Sequence, residues 1–471
     1  MVEFRLEKSV TIVYDHYRPL SGECGASETS FIINLVVLLM SIGITAFSYV
    51  MGVTAYVFLV VIMMGSQLVL TVVLETVFSP VTCALSRLKI RRRLSWRRVL
   101  LREVALLVTF GVIAVAYWMI PAFSDLAMEK VYYPFLWTIV PSIVALSVPY
   151  FCLMDRLDVE EEDVYCHVGR AIITGQKTMS RFELANYIRS WIIKAFWLSV
   201  MQPPVVEKLR VLITYHWELI GDSPMSIFIM ASTICYALDL FFAASGYVLN
   251  LKMFNTHTRT AEPTLLGWVV TVGCYWPFWG VLFYPYFFKY QAANQWNTCF
   301  VVGSMMWWIW ASAIIMMEAL YASATISAGI RFSNLTYRGL WNTGPYRWTK
   351  HPAYVFKNIS WWLIYVPFLA NSGILAIKCS LLLVGVNFVY YLRARTEERH
   401  LSHYPEYVAY AMWMNRHGIF RWCAMLMPFL RYEHSGSGTL TDFQVKVVEN
   451  EERRFLMKNV LGQYDNGKAV I

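Results

Sequence analysis

Apolar runs of bilayer length constrain this chain more than any other feature. A spanning helix needs about twenty predominantly apolar residues, and eight stretches meet that length on sight: Phe31–Val50, Val53–Phe78, Val104–Ile120, Phe135–Met154, Met225–Val248, Leu265–Phe288, Thr298–Tyr321 and Tyr354–Tyr391. The last holds Asn371-Ser372-Gly373 in its middle, a turn signal that divides it into two helices. A further stretch, Leu184–Met201, carries Arg189 and Lys194. A lysine at the centre of a span costs roughly 2.5–3.5 kcal/mol on insertion scales, so an interfacial amphipathic helix is its alternative reading.

Charge distribution decides between the two. With ten helices and a cytoplasmic N-terminus, the inner loops hold eight Lys and Arg in 79–103, four in 155–183, two in 249–264 and four in 322–353. The outer loops then hold Lys130, Lys208, Arg210 and Lys289. That asymmetry follows the positive-inside rule better than a nine-helix arrangement does. The expected fold is therefore an all-α, polytopic transmembrane helix bundle of about ten helices with both termini cytoplasmic. The sequence divides into a cytoplasmic segment (1–29), an N-terminal membrane region (30–224), a C-terminal membrane region (225–431) and a polar tail (432–471) that follows the Ser435-Gly436-Ser437-Gly438 linker.

Composition agrees. Only 15% of the 471 residues are charged and 58% are hydrophobic, against about 25% charged in soluble domains. The formal charge of +9 sits in basic loops between apolar runs, notably Lys89 to Arg98, which suits an anionic leaflet and argues against nucleic acid as a partner. The nine cysteines form no CxxC pair and read as reduced buried residues, so neither a disulfide framework nor a metal site is expected. The first apolar run begins near Ser30 behind a mixed-charge segment, which does not have the pattern of a cleaved signal peptide.

Chemistry concentrates at two polar stretches flanking the last pair of helices. The first runs Asn342-Thr343-Gly344-Pro345-Tyr346-Arg347-Trp348-Thr349-Lys350-His351-Pro352-Ala353-Tyr354, a turn-rich loop with Pro352 suited to a first helical turn. The second runs Arg393-Ala394-Arg395-Thr396-Glu397-Glu398-Arg399-His400-Leu401, then Tyr404-Pro405-Glu406-Tyr407-Val408-Ala409-Tyr410. A hairpin of two antiparallel helices returns the chain to the face it left, so both stretches can meet there.

Plainer readings exist for each residue. His351 could simply cap a helix, and Arg393 with Glu397 makes an i,i+4 pair worth about 0.2–0.5 kcal/mol. Tyr404, Tyr407 and Tyr410 recur every three residues, as an interfacial aromatic belt does. Their order and spacing across one hairpin favour a shared chemical role.

That order resembles the isoprenylcysteine carboxyl methyltransferase and phospholipid methyltransferase families, with a long N-terminal membrane extension. The matching residues are Gly344, Tyr346, Lys350, His351, Pro352 and Tyr354, then Glu397, Glu398, Leu401, Tyr404 and Tyr407. Two departures stand out: Phe356 where a glycine is usual, and Tyr404-Pro405-Glu406-Tyr407 without the glycine that commonly precedes the final tyrosine pair.

The resemblance implies an S-adenosylmethionine-dependent methyltransferase acting on a membrane lipid or lipidated substrate at the cytoplasmic face, in a bacterial inner membrane or the endoplasmic reticulum. Tyr346, His351, Pro352, Tyr354, Glu397, Glu398, Tyr404 and Tyr407 would bind the cofactor, and Arg347 and Arg395 would hold an anionic substrate group. Two alternatives remain. An NADPH-dependent membrane sterol or lipid reductase would need a proton donor such as Asp239 or Glu318, both inside apolar runs. A non-catalytic scaffold or lipid transporter would leave the His-Pro-x-Tyr and Glu-Glu clusters without a role.

Overall fold

The structure, a computed structural model, describes residues 27–79, 93–120, 128–157, 162–176, 178–215, 217–280, 296–422 and 427–432. Most of the basic loop and the polar tail lie outside them. Twelve helices order the described chain: α1 (Phe31–Val50), α2 (Tyr56–Phe78), α3 (Trp96–Met119), α4 (Tyr133–Leu157), α5 (Val164–Thr174), α6 (Arg181–Thr214), α7 (Pro224–Val248), α8 (Leu265–Val272), α9 (Met305–Ala328), α10 (Pro352–Tyr365), α11 (Gly373–Leu401) and α12 (Pro405–His417). A four-residue helical turn, Trp296–Cys299, lies between α8 and α9.

Polar caps write many of the starts. Ser30, Asp163, Ser223, Thr264, Ser304 and Ser372 each accept a bond from the first turn of their helix. Ser180 and Glu183 form a reciprocal capping box on α6. Among the described residues, seven helices are long and apolar enough to cross a membrane: α1, α2, α3, α4, α7, α9 and α11. The expected all-α membrane bundle forms, with seven such helices among the described residues where about ten were expected, and with boundaries that differ in several places.

The stretch read as Leu184–Met201 is a single 34-residue helix, α6, that continues through Pro203 and Pro204. The run expected from Thr298 starts instead at Met305, because Gly303 adopts a positive φ of 82° and Ser304 supplies the cap. The run from Leu265 stays helical for only eight residues before turns take over. Gly273 and Pro277 explain that break, one by backbone freedom and the other by its missing N–H.

The largest core lies where α1, α2, α6 and α7 meet, with Val37, Leu38, Leu59, Met63, Ile193, Trp197, Phe241 and Phe242 all buried. Outward faces carry the opposite pattern for a soluble protein: Trp118, Trp137 and Ile374 are 80% exposed or more. Such apolar surface is stable against hydrocarbon. At one end, α3, α4 and α5 are tied by charge. Asp155 takes Arg98 at 2.6 Å and Arg102 at 3.0 Å, while Asp163 takes Arg102 at 3.1 Å and caps α5.

Residues 27–34 fasten the loop that leads into α10. Glu28 donates its backbone N–H to Leu340 O at 2.9 Å, and its carboxylate pairs with Arg259 at 2.6 Å. Asn34 donates to Ser327 O at 3.0 Å. A two-residue antiparallel ladder, β1 (Thr260–Ala261) on β2 (Thr336–Tyr337), joins this loop to the one after α7. Close approach depends on Gly246, where a Cβ would sit 2.2 Å from Phe332 O.

Candidate active site

Two helix ends build the site. Gly344, at φ 57°, turns the chain into a short 3-10 segment, Gly344–Arg347, which delivers Lys350 and His351 to the start of α10. Pro352 fills the first helical position, where its missing N–H costs nothing. After fourteen residues α10 stops, Val366 adopts a left-handed conformation, and α11 runs back to present Glu397 and Glu398 beside that start. The hairpin is itself latched by polar side chains: Trp362 donates to Asn387 at 2.8 Å and Asn387 donates to Asn358.

Glu398 is the centre. Its Oε1 meets Lys350 Nζ at 2.6 Å and His351 Nε2 at 3.2 Å, and its Oε2 meets Arg395 at 2.8 Å. The carboxylate is buried, so three partners of positive or potentially positive character meet it where water does not screen them. Burial pushes Lys350 below the ordinary lysine range, and the Glu398 carboxylate opposes that shift.

Glu397 contrasts with its neighbour. Its side chain is 42% exposed; it accepts a bond from Tyr354 Oη at 2.6 Å and lies 3.8 Å from His351 Nδ1. The rings of His351 and Tyr354 are parallel within 3° at 5.4 Å between centroids. A carboxylate with spare acceptor capacity beside two parallel aromatic faces suits hydroxyl or amino groups on a flat, positively charged ligand.

Several plainer readings do not describe this geometry. His351 occupies the N-cap position of α10, yet its side chain makes no cap bond there. Arg393 does not pair with Glu397; it donates to Asn334 Oδ1 at 2.5 Å and lies over the rings of Tyr354 (4.7 Å), Tyr275 (5.5 Å) and Tyr390 (5.8 Å). Tyr404, Tyr407 and Tyr410 are all buried rather than interfacial.

The three tyrosines do different things. Tyr410 donates to Tyr346 O at 2.6 Å and so holds the 3-10 segment against α12. Tyr407 packs beside Tyr410 and Tyr432, with its hydroxyl buried and without a hydrogen-bond partner among the described residues. Tyr404 faces the other way, stacking on Tyr337 at 3.7 Å and sharing a bond with Thr260 at 2.6 Å. Tyr346 is half-buried, and Arg347 is exposed at the end of its turn.

The structure therefore brings Lys350, His351, Tyr354, Arg395, Glu397 and Glu398 into direct contact, with Tyr346 and Tyr407 on the flanking helix α12 side. Lys350, a matching motif residue that the sequence does not assign to the site, is a direct partner of Glu398. Asn334, Tyr275 and Tyr432 gave no sequence signal, because each comes from a segment remote from the hairpin. Phe356, the departure from the usual glycine, is buried within α10. Asp239 and Glu318 are buried and make no direct contact with Glu397 or Glu398 among the described residues; Asp239 accepts bonds from Tyr321 at 2.8 Å and from Thr325.

Residues 310–403 match the model of the isoprenylcysteine carboxyl methyltransferase (ICMT) family, a span from within α9 to the end of α11 that contains the whole Glu398 cluster. No curated protein and no solved structure matches the chain. The chain is an integral, multi-pass membrane protein, and its C-terminal part is similar to a family of membrane methyltransferases.

Proposed function

We propose that the protein is an S-adenosylmethionine-dependent methyltransferase acting on a lipid or lipid-modified substrate at the cytoplasmic membrane face. The observation that carries this reading is the convergence of Lys350, His351 and Arg395 on Glu398, which locks the two halves of the motif together. The residues suit the cofactor: Glu397 retains acceptor capacity, His351 and Tyr354 offer parallel aromatic faces, and the buried Tyr407 hydroxyl lacks a partner among the described residues.

In this reading Glu397, His351, Tyr354 and Tyr407 hold the cofactor, with Tyr346 and Pro352 shaping its floor and Tyr404 fixing α12 from the far side. The bound cofactor supplies a methyl group already activated as a sulfonium. What remains for the protein is alignment, which well-oriented groups supply very effectively. The Glu398 cluster keeps the start of α10 and the end of α11 in register for that purpose, and Arg395 and Arg347 face an anionic acceptor. A centre at a helix-end face can receive a lipid tail from the bilayer and a polar cofactor from water.

Isothermal titration of the detergent-purified chain with S-adenosylhomocysteine, and separately with NADPH, tests the reading. Binding of S-adenosylhomocysteine that His351→Ala abolishes is the expected result. NADPH binding alone would replace the reading with a membrane reductase, and binding of neither would leave a non-catalytic role.

A further inference from the structure

Asp239 on α7 and Glu318 on α9 are buried carboxylates with no cation at ion-pair distance among the described residues. Asp239 accepts from Tyr321 at 2.8 Å through one oxygen and from Thr325 through the other. Glu318 keeps its Oε2 buried without a partner among the described residues. Tyr236, three residues before Asp239, lies close enough to feel both charges. Joining α7 to α9 needs no charge at all, since a neutral amide or hydroxyl does so at a lower desolvation cost. Carboxylates with only hydroxyl partners therefore point to a role in handling protons.

Tyr321 connects this group to the candidate site. Lys357 Nζ lies 5.1 Å over its ring and 5.5 Å over that of Trp361. Lys357 follows Tyr354 by three residues on α10, so the two occupy neighbouring positions on one helix face. Tyr354 reaches Glu397 and His351, and Lys357 reaches Tyr321. The Tyr321 hydroxyl also lies within charge reach of Tyr275 and Tyr390, and Tyr390 packs edge-on against Tyr354 at 5.6 Å. Tyr321, Tyr354 and Lys357 are half-buried, which leaves a methyl acceptor a way to reach them.

The chemistry supplies the task. When the methyl group moves, a lone pair of the acceptor forms the new bond to carbon, and the carbon–sulfur bond breaks with its electrons staying on sulfur. An acceptor that began with a proton must then lose it. Tyr321 Oη can take that proton while its own passes to Asp239 along the existing hydrogen bond. Lys357 over the ring stabilises negative charge that develops on the phenol as this happens. Glu398 is saturated and Glu397 faces the cofactor in the proposed reading, so the relay does not compete with either.

We propose that Asp239, acting through Tyr321, receives the proton that the methyl acceptor gives up, so that the contact between α7 and α9 is a proton relay for the methyl-transfer centre. The relay rests on the methyltransferase reading, and it brings in a carboxylate from outside the matched residues 310–403. The titratable and charged groups around it are Tyr236 on α7, Glu318 and Tyr321 on α9, Lys357 on α10, and Tyr275 and Tyr390 beside Tyr321.

Two measurements on the detergent-purified full chain test it. Infrared difference spectra between low and high pH should contain a carboxyl band that Asp239→Asn removes and Tyr321→Phe shifts. Methyl transfer from radiolabelled S-adenosylmethionine to a total membrane lipid extract should fall about 100-fold in Asp239→Asn and about tenfold in Tyr321→Phe. S-adenosylhomocysteine affinity should stay within a factor of two in both. The residual rates should keep rising with pH where the wild-type rate levels off, because acceptor that has already lost its proton takes over. Should Asp239→Asn fail to fold, Thr325→Val leaves the relay atoms in place and should shift the pH at which the rate levels off.

A wild-type pH profile in Asp239→Asn overturns the relay. So does a parallel loss of rate and cofactor affinity, which would make Asp239 a lock between helices. If the extract holds no acceptor, the infrared band decides: a band that responds to pH supports the relay, and its absence in a chain that binds S-adenosylhomocysteine overturns the relay alone. A chain that binds no S-adenosylhomocysteine removes the methyltransferase reading and the relay with it.

Discussion

Two clusters of buried charge, one in each half of the molecule, are built to opposite ends. Around Asp155, two arginines face two aspartates, a backbone N–H from Ser95 fills a further acceptor position at 2.8 Å, and Asp163 also caps α5. Cations and carboxylates balance, and the partners come from three helices that the cluster joins. Around Glu398, one buried carboxylate takes Lys350, His351 and Arg395, while the adjacent Glu397 stays open with only Tyr354 at close range. The first cluster pairs its charges one for one, with Arg102 Nη2 left over among the described residues. The second pairs a saturated carboxylate that holds position with an unsaturated one that can receive.

The largest effect that separates them is on stability. Asp155→Ala leaves Arg98 and Arg102 facing each other across a buried gap, and removing one partner of a buried pair costs about 3–5 kcal/mol. Thermal unfolding in detergent should show a markedly lower midpoint, while S-adenosylhomocysteine affinity per folded molecule stays within a factor of two. A parallel loss of cofactor affinity would mean that the two clusters are not independent.

Glu398→Gln should act on binding. It keeps the shape of the side chain but removes the charge that gathers Lys350, His351 and Arg395. Hydrogen bonds to charged groups contribute about 1.5–3 kcal/mol, which corresponds to roughly a 10–100-fold loss of S-adenosylhomocysteine affinity by titration. Unchanged affinity in a folded variant would mean that the register of the two helix ends is set elsewhere. Tyr354→Phe is the finer probe. It retains the ring against His351 and removes only the bond to the half-exposed Glu397, so affinity should fall by about 1.5 kcal/mol, the low end of that range, with thermal stability unmoved. A drop in the unfolding midpoint would recast Tyr354 as a scaffold residue.

The contrast also explains what could be read ahead of the structure. Hydropathy located most of the helices because bilayer length leaves few options, and the hairpin argument brought Lys350–His351 to Glu397–Glu398 without any contact being known. Boundaries went astray where local chemistry overrode hydropathy: Gly303 and Ser304 delayed α9, and Pro277 stopped the run from Leu265. The tyrosine triplet had the spacing of a belt, yet it is buried, because α12 packs on the 3-10 segment instead of lying at the interface. The plainer reading of Arg393 fails for a related reason. Its i,i+4 neighbour is Glu397, but Asn334 and Tyr275, from distant segments, offer the guanidinium a better seat. Pattern within a helix says which side chains could meet; only tertiary packing says which do.

The smallest expected effect concerns how the two halves are joined. Residues 27–30 lie before the first spanning helix, yet they hold the loop that carries the motif: Glu28 bonds Leu340 through its backbone, pairs with Arg259 and accepts from Asn255 at 2.9 Å. The pair is partly exposed, with side chains 26% and 11% accessible, so solvent screening limits it to about 1 kcal/mol. Glu28→Gln should leave the unfolding midpoint almost unchanged and raise hydrogen exchange across residues 338–350 several-fold, because the loop loses a tether while the bundle does not. Exchange that rises equally throughout α1 would place the effect in the bundle. Exchange confined to the loop would make the N-terminal segment a positioning element for a site more than three hundred residues away in sequence, and so give part of the long N-terminal extension a role in holding the motif.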